Sequence, residues 1–401
     1  MEPLINKLHQ KGVVILDFGS QYTQLIARRV RELNVYSEIL PPETKLDQIK
    51  EIDPSAIILS GGPSSVFTEE APTFDKNIFD IGLPILGICY GLQLLAHHHD
   101  GLVESNGQGE YGFAEIKIDD NKKLFQNVSK TSQVWMSHMD RVTKIPDGWH
   151  VLAHSSNGVI AAMSNQDQSI VATQFHPEVA HTEEGKIFLN NFLFKIANCS
   201  PTWTAGNFIE EQIKLIRNQV KEDKVIVGVS GGVDSTVVAA LLHKAIGDQS
   251  TAILIDHGML RLNEAKNCVK ALKDGLGVNI HCYDESEIFL SKLENVTDPE
   301  KKRKIIGNQF IYSFDRIANE LGDIKYLSQG TLYPDIIESG VSKGKSAHVI
   351  KSHHNVGGLP DDMNFQLIEP LKELFKDEVR EIGRQLGLPN SLIDRHPFPG
   401  P

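Results

Sequence analysis

Cysteine is scarce: four residues in 401, at positions 89, 199, 268 and 282. Their spacings fit neither a zinc-ligand pattern nor a redox CxxC. A disulfide scaffold is therefore excluded, and a reduced, cytoplasmic setting is expected. No run of ~18 apolar residues occurs, so no membrane span or membrane partner is expected. The N-terminus MEPLINKLHQKG lacks the apolar stretch of a secretory signal. Positive charge is also in deficit. Forty Lys and Arg stand against 52 Asp and Glu, a net charge of −12. Binding to a polyanion draws on basic surface, so no nucleic-acid partner is expected. Internal repeats and low-complexity tracts are absent. With 40% hydrophobic and 23% charged residues, the chain has the make-up of a soluble globular protein. Its length suits two or three domains.

What is present is alternation. GVVILDFGS, SAIILSGGP and LPILGICYG are apolar, β-branched runs ending in turns, and QLIARRVREL and LQLLAHHHDG have helical spacing. Gly101 is expected to close the second of these helices. Residues 110–175 read as shorter strands, ending in SIVATQFHPE. The Pro/Gly/Thr-rich, aperiodic segment CSPTWTAGN sets a boundary, dividing the chain into residues 1–202 and 203–401. Beyond it DKVIVGVSGGVDSTVVAALLHKAI reads as strand, glycine turn and helix, and STAILIDHGML and IKYLSQGTLYPD add strands. Repeated β-α alternation predicts an α/β protein of two doubly wound domains with mainly parallel sheets.

The first chemical signal is Gly87-Ile88-Cys89-Tyr90-Gly91, a G-x-C-x-G frame between an apolar strand and a helix. This is the setting of a nucleophile elbow. Helix N-terminal N–H groups favour a thiolate there and can hold an oxyanion. A lone cysteine in an apolar run is usually structural, but two flanking glycines do little for packing. A thiol nucleophile needs a base, and the base needs an orienting group. His176 and Glu178 in QFHPE supply both, because alternate residues of an extended segment face the same way. The tract His97–His99 suggests metal binding, but successive helical residues point about 100° apart, so three in a row share no face.

The second signal is Ser230-Gly231-Gly232-Val233-Asp234-Ser235, followed by Thr236, between an apolar strand and an apolar helix. Backbone N–H groups at such a turn cradle anions. The loop carries no lysine and is not a Walker A sequence. Ser230, Ser235 and Thr236 can donate to phosphate, and Asp234 can offer oxygen to Mg²⁺. Asp256 ends the following strand, at the edge where doubly wound sheets bind ligands.

LSGGP, GICYGLQLLA, the segment Ser137–Asp140 and QFHPE resemble the class I glutamine amidotransferases. SGGVDS resembles the loop of the N-type ATP pyrophosphatases. Together they resemble the glutamine-hydrolysing GMP synthase family. The resemblance implies a class I glutaminase fold followed by an adenine-nucleotide α-hydrolase-like fold. It implies a Cys89-His176-Glu178 triad, oxyanion N–H groups at Gly61 and Tyr90, and glutamine held by Gln93, Ser137 and Met139. It also implies nucleotide contacts at Arg303, ATP and metal handling at Asp335 and Glu338, and a lid carrying Lys351 and His353. The substrates implied are glutamine, ATP and xanthosine monophosphate, with Mg²⁺. The run Lys301–Lys304 is expected to precede a helix starting at Ile-Ile-Gly. The family's chains continue past HPFPGP into a dimerisation domain that residues 1–401 do not include, so the family's homodimer is not expected of this stretch alone. Two other readings stay open, a glutaminase alone and a non-synthetic remnant. SGGVDS enzymes that make NAD, asparagine or thiolated RNA are a further alternative.

Overall fold

Val13-Val14-Ile15-Leu16 is buried along its whole length, as a strand of a sheet covered on both faces must be. Strands of this kind organise the chain in a computed structural model that describes residues 11–105, 109–341 and 365–395. The chain divides between Thr204 and Ala205 into two units.

In the first unit the elements are β1 (Val13–Leu16), α1 (Thr23–Arg31), β2 (Ser37–Leu40), α2 (Leu46–Ile52), β3 (Ala56–Leu59), β4 (Ile85–Ile88) and α3 (Tyr90–His98). Then come β5 (Leu102–Glu104), β6 (Glu110–Ile118), β7 (Thr131–His138), β8 (Arg141–Lys144), β9 (His150–Ser155), β10 (Ile160–Ser164), β11 (Ile170–Thr173) and α4 (Gly185–Asn191). The main sheet runs β2-β1-β3-β4-β11-β10-β9-β6-β7. Its β2-to-β11 part is parallel, and from β11 outward neighbours are antiparallel. The order in which the parallel strands are added reverses between β1 and β3, a switch point of the kind that opens a crevice at the strands' carboxyl ends.

Three local expectations change. The 110–175 stretch holds the longest strands of the unit, β6 with nine residues and β7 with eight. The left-handed residue closing α3 is Asp100, with φ 65°, and not Gly101. Gly101 instead donates its N–H to the Ala96 carbonyl. The segment around Cys199–Trp203 is packed and not free. Trp203 is buried, its ring lies 4.9 Å from that of Tyr36, and its N–H donates to the Asn34 carbonyl.

The second unit contains α5 (Ala205–Val220), β12 (Val225–Gly228), α6 (Val233–Ile246), β13 (Ser250–Asp256), α7 (Glu264–Leu276), β14 (Ile280–Asp284), α8 (Ser286–Leu293) and α9 (Pro299–Glu320). They are followed by β15 (Tyr326–Ser328), α10 (Tyr333–Val341), β16 (Gln366–Ile368), α11 (Lys376–Gln385) and α12 (Asn390–Ile393). The sheet order is β14-β13-β12-β15-β16, parallel throughout. The order in which its strands are added reverses between β12 and β15, beside the loop that follows β12. Helix α9 begins earlier than Ile-Ile-Gly: the Asp298 carboxylate accepts the Lys301 N–H at 2.8 Å and Pro299 occupies the first helical turn. Asp followed by Pro is a strong helix start. Among the described residues no helix is long and apolar enough to cross a membrane.

Candidate active site

Cys89 stands between β4 and α3 with φ 52° and ψ −101°, a conformation that costs a non-glycine residue strain. The flanking glycines are demanded by close approach. A Cβ on Gly91 would sit 2.5 Å from the Leu59 carbonyl oxygen, and one on Gly87 would sit 2.8 Å from the Gly91 backbone. The elbow is thus wedged between β3 and its own helix. The Cys89 N–H is tied to the Thr173 carbonyl at 2.7 Å, which locks β4 to β11 at the nucleophile.

The residues just beyond β11 turn back onto this elbow. His176 Nδ1 lies 2.7 Å from Glu178 Oε1, and both side chains are buried. The Glu178 carboxylate accepts from Nδ1, leaving Nε2 as the basic nitrogen. Burial works against the imidazolium, but the Glu178 carboxylate and the Cys89 sulfur outweigh it, so the His176 pKa is raised well above its ordinary value. The His176 carbonyl accepts from Thr182 Oγ1, the Tyr22 ring stands edge-on to the imidazole at 5.1 Å, and the Arg29 guanidinium donates to the Glu178 carbonyl.

The triad opens on a cavity of about 540 Å³, a size suited to a small metabolite. It is walled by the turn Gly19–Tyr22, the turn Gly62–Ser65 and the segment Ser137–Asp140. Gly61 faces the triad: a Cβ there would lie 3.0 Å from His176 Cε1 and 3.6 Å from Cys89 Cβ. Tyr90 begins α3, so its N–H belongs to the turn that lacks intrahelical acceptors. Its phenol points away to the Pro72 carbonyl, and burial pushes its pKa up to about 12. Gln93 and Met139 line the cavity, the first donating to the Asp140 carbonyl at 2.8 Å and the second exposed. Ser137 presents its carbonyl oxygen 3.6 Å from Cys89 Sγ. Two further groups lie inside the Ser137–Asp140 and QFHPE segments, whose sequence gives them no separate role. His138 is buried 3.4 Å from Glu110, its pKa lowered by desolvation despite that carboxylate. Gln174 reaches Cys89 Sγ with its amide nitrogen at 3.7 Å. His98 and His99 join an aromatic cluster with Phe74, Phe79 and Trp149.

In the second unit the SGGVDS turn joins β12 to α6. Gly231 has φ 73° and Gly232 caps the helix. Ser235 Oγ accepts from the Ser230 N–H at 3.2 Å, and Ser230 Oγ accepts from the Gly232 N–H at 3.3 Å. The turn is therefore closed on itself, with Val233 buried as the first helical residue. Thr236 differs from the expectation: its hydroxyl is buried and donates to the Gly232 carbonyl at 2.6 Å, the back-bond open to a helical threonine. Gly330, following β15, abuts the turn. A Cβ there would lie 3.2 Å from that of Asp234.

The loop has no lysine of its own, but Lys376 at the start of α11 places its ammonium 2.6 Å from both Asp234 oxygens. No local sequence signal marks it, since 142 residues separate the pair. The donor set as it stands does not fit a protein-held Mg²⁺. Asp234 is committed to Lys376, and no group of three or more His, Cys, Asp or Glu suited to a metal occurs among the described residues. Asp256 accepts the Gly258 N–H at 3.0 Å in the turn beyond β13. Arg395 donates to the Gly231 carbonyl and pairs with Glu264. Arg395 and Glu264 line a groove of about 700 Å³ along α7 and α12.

The remaining expected residues are more dispersed. Arg303 is exposed on α9 and pairs with Glu300 at 3.0 Å. Asp335 accepts the Leu332 N–H at the start of α10, and Glu338 follows one turn on, exposed. Lys351 and His353 lie outside the described residues.

Comparison with known proteins agrees with this two-part construction. Residues 14–196 match the family model "Glutamine amidotransferase class-I", and residues 207–309 match "NAD synthase". The chain is 53% identical over 389 residues to a GMP synthase [glutamine-hydrolyzing] of Brachyspira hyodysenteriae, covering 97% of this chain and 76% of that protein. It is 54% identical over 400 residues to the one of Wolinella succinogenes, covering 98% and 77%. A solved structure from Thermoplasma acidophilum, described as one subunit of a putative GMP synthase, is 30% identical, covering 47% of this chain and 95% of that one at a TM-score of 0.43. Identity that runs through both units, and not through the glutaminase or the nucleotide half alone, places the chain in the glutamine-hydrolysing GMP synthase family.

Proposed function

We propose that this chain aminates xanthosine monophosphate to GMP, taking nitrogen from glutamine and energy from the cleavage of ATP to AMP and pyrophosphate. One observation carries the glutaminase half: a strained cysteine at a helix N-terminus, next to a buried His176–Glu178 pair 2.7 Å apart. Family membership over both units supports joining it to ATP-driven synthesis.

The chemistry follows from the residues. The Cys89 thiol proton passes to His176 Nε2, and the sulfur keeps the electron pair and attacks the glutamine carboxamide carbon. Negative charge develops on the former carbonyl oxygen, towards N–H groups at Tyr90 and Gly61. The imidazolium returns its proton to the departing nitrogen, ammonia leaves, and water hydrolyses the thioester to glutamate. At the second site the SGGVDS turn receives the ATP phosphates on its N–H groups and the Ser230 and Ser235 hydroxyls. The C2 oxygen of xanthosine monophosphate attacks the α-phosphorus, pyrophosphate leaves, and ammonia then displaces AMP. Any Mg²⁺ here belongs with the phosphates of the substrate. Arg303, Asp335 and Glu338 are assigned to the nucleotide side, and Gln93, Ser137 and Met139 to glutamine. The setting we assign is cytoplasmic.

The test is stoichiometry. The protein is supplied with glutamine, ATP, Mg²⁺ and xanthosine monophosphate. GMP, glutamate and pyrophosphate should form in equal amounts. Cys89→Ala should lose glutamine-dependent synthesis and keep ammonium-dependent synthesis. Glutamate released without GMP would reduce the chain to a glutaminase.

A further inference from the structure

We propose that Gln174 is a catalytic residue of the glutamine-hydrolysing site, its side-chain N–H donating to the Cys89 sulfur when the sulfur carries negative charge. The proposal rests on Cys89 being the nucleophile, and it adds a group that the Cys-His-Glu triad does not include.

The backbone leaves Gln174 little choice of direction. Its N–H is fixed to the Ala161 carbonyl at 2.8 Å, and the His176 N–H to the Trp135 carbonyl at 3.0 Å. Between them Phe175 turns the other way and packs on Phe188, ring centroids 5.2 Å apart. Beyond β11 the chain bends at Gln174 and Phe175 and turns at Pro177 and Glu178, which brings Gln174, His176 and Glu178 together at the elbow. The first two reach the sulfur and the third orients the imidazole.

The surroundings of the side chain point to a role at the sulfur. Gln174 is completely buried, its Nε2 lies 3.7 Å from Cys89 Sγ, and its Oε1 has no hydrogen-bond partner among the described residues. A buried carboxamide with an orphaned oxygen is costly to keep for packing alone. Sγ also faces the Ser137 carbonyl oxygen at 3.6 Å. That oxygen accepts from the thiol but repels the thiolate. Once the proton has moved to His176, the sulfur needs a donor, and the Gln174 amide is placed to be one. The same donation helps when the thioester is hydrolysed. As the carbon–sulfur bond breaks, the electron pair returns to Sγ, and the amide N–H meets it. In the neutral thioester the interaction is weak, so the contact favours the charged states on either side of it.

The test uses Gln174→Leu and Gln174→Glu in the full chain. Cys89 alkylation by iodoacetamide is followed against pH, alongside glutaminase kcat and KM. Both variants should move the alkylation midpoint to higher pH, with the rate at neutral pH falling about tenfold for the leucine variant. The glutamate variant should fall further, because its carboxylate opposes the thiolate. Glutaminase kcat should fall with KM nearly unchanged, and ammonium-dependent synthesis should stay at the parent rate. A wild-type alkylation profile in either folded variant overturns the proposal, as does a rise in KM with kcat unchanged. Where the leucine variant does not fold, Gln174→Met takes its place in the comparison. Failure of the underlying reading looks different: alkylation of Cys89 would then leave glutaminase activity intact.

Discussion

The Lys376 ammonium lies 2.6 Å from each carboxylate oxygen of Asp234. The SGGVDS turn, which has no lysine of its own, thus receives a cation from the start of α11. On the proposed function, an incoming phosphate would compete with Asp234 for this ammonium, whose side chain is 41% exposed. Lys376→Met should slow ammonium-dependent pyrophosphate release about 10²-fold, the cost of losing one positioned charge. Glutamine hydrolysis at Cys89 should be unchanged. Equal pyrophosphate release by the variant and the parent would show that the ammonium serves only to neutralise Asp234.

Gly91→Ala should be the more damaging change at the elbow although it touches no reacting atom. Its new methyl group would meet the Leu59 carbonyl at 2.5 Å and the Leu59 Cβ at 2.9 Å, and the main chain of β3 has no room to yield. Overpacking of this kind costs about 1–3 kcal/mol. Differential scanning calorimetry should show a lower unfolding midpoint for the first unit, together with loss of glutaminase activity.

Cys89→Gly should be more stable than Cys89→Ala. Both lose the sulfur, but only glycine relaxes the positive φ of 52° at the elbow. Release of that strain is about 1–3 kcal/mol, or about 2–4 °C for each kcal/mol in a domain of this size. Equal midpoints for the two variants would show that the elbow stores no strain.

The parts of this architecture legible in sequence are those governed by local pattern. VVIL, AIIL, ILGI and VIVG announce buried parallel strands because both of their faces are covered, and the G-x-C-x-G and SGGVDS turns announce themselves through glycines that only close approach or a left-handed turn requires. β6 and β7 are less legible. Their exposure alternates along half-solvated strands, so Glu110, Tyr111 and Ser137 interrupt the apolar signal. The Asp298-Pro299 start of α9 is present in sequence but overshadowed by the lysine run behind it. Lys376 and Arg395 escape for a different reason. They meet the turn from 142 and 164 residues away, and such distant pairings have no local period.

Acid should weaken the first unit through three histidines, His138 buried and His98 and His99 half-buried. His98, His99 and His138 all have pKa values lowered by desolvation, offset in part by neighbouring carboxylates. Their folded state favours neutral imidazole, whereas the unfolded chain takes up protons near pH 6.5. Their stabilisation is therefore whole above about pH 6.5 and is lost as pH falls through the lower folded values. His176 has the opposite sign. Its contribution is whole below the unfolded value and is lost as pH rises through its raised folded value. The unfolding midpoint should drop between neutral pH and about pH 5, and His99→Leu should flatten that drop. His99 suits the test because its Nε2 has no hydrogen-bond partner to lose among the described residues. An unchanged slope in the variant would place the acid sensitivity elsewhere.

Glu178→Gln separates orientation from charge at the triad. The amide oxygen can still accept from His176 Nδ1, so the ring keeps its place and its tautomer. The carboxylate that helps to raise the His176 pKa against burial is gone. Desolvation then acts with less opposition, and the imidazolium that forms when His176 takes the Cys89 proton is less stable. Glutaminase kcat should fall by about 10²–10⁴-fold, the size of a general acid–base contribution. Iodoacetamide alkylation of Cys89 at neutral pH should slow with it, because His176 becomes a weaker acceptor for the thiol proton. Ammonium-dependent synthesis bypasses the triad and should keep its parent rate. A variant that hydrolyses glutamine at the parent rate would mean that Glu178 contributes position alone and that the imidazolium owes its stability to the sulfur.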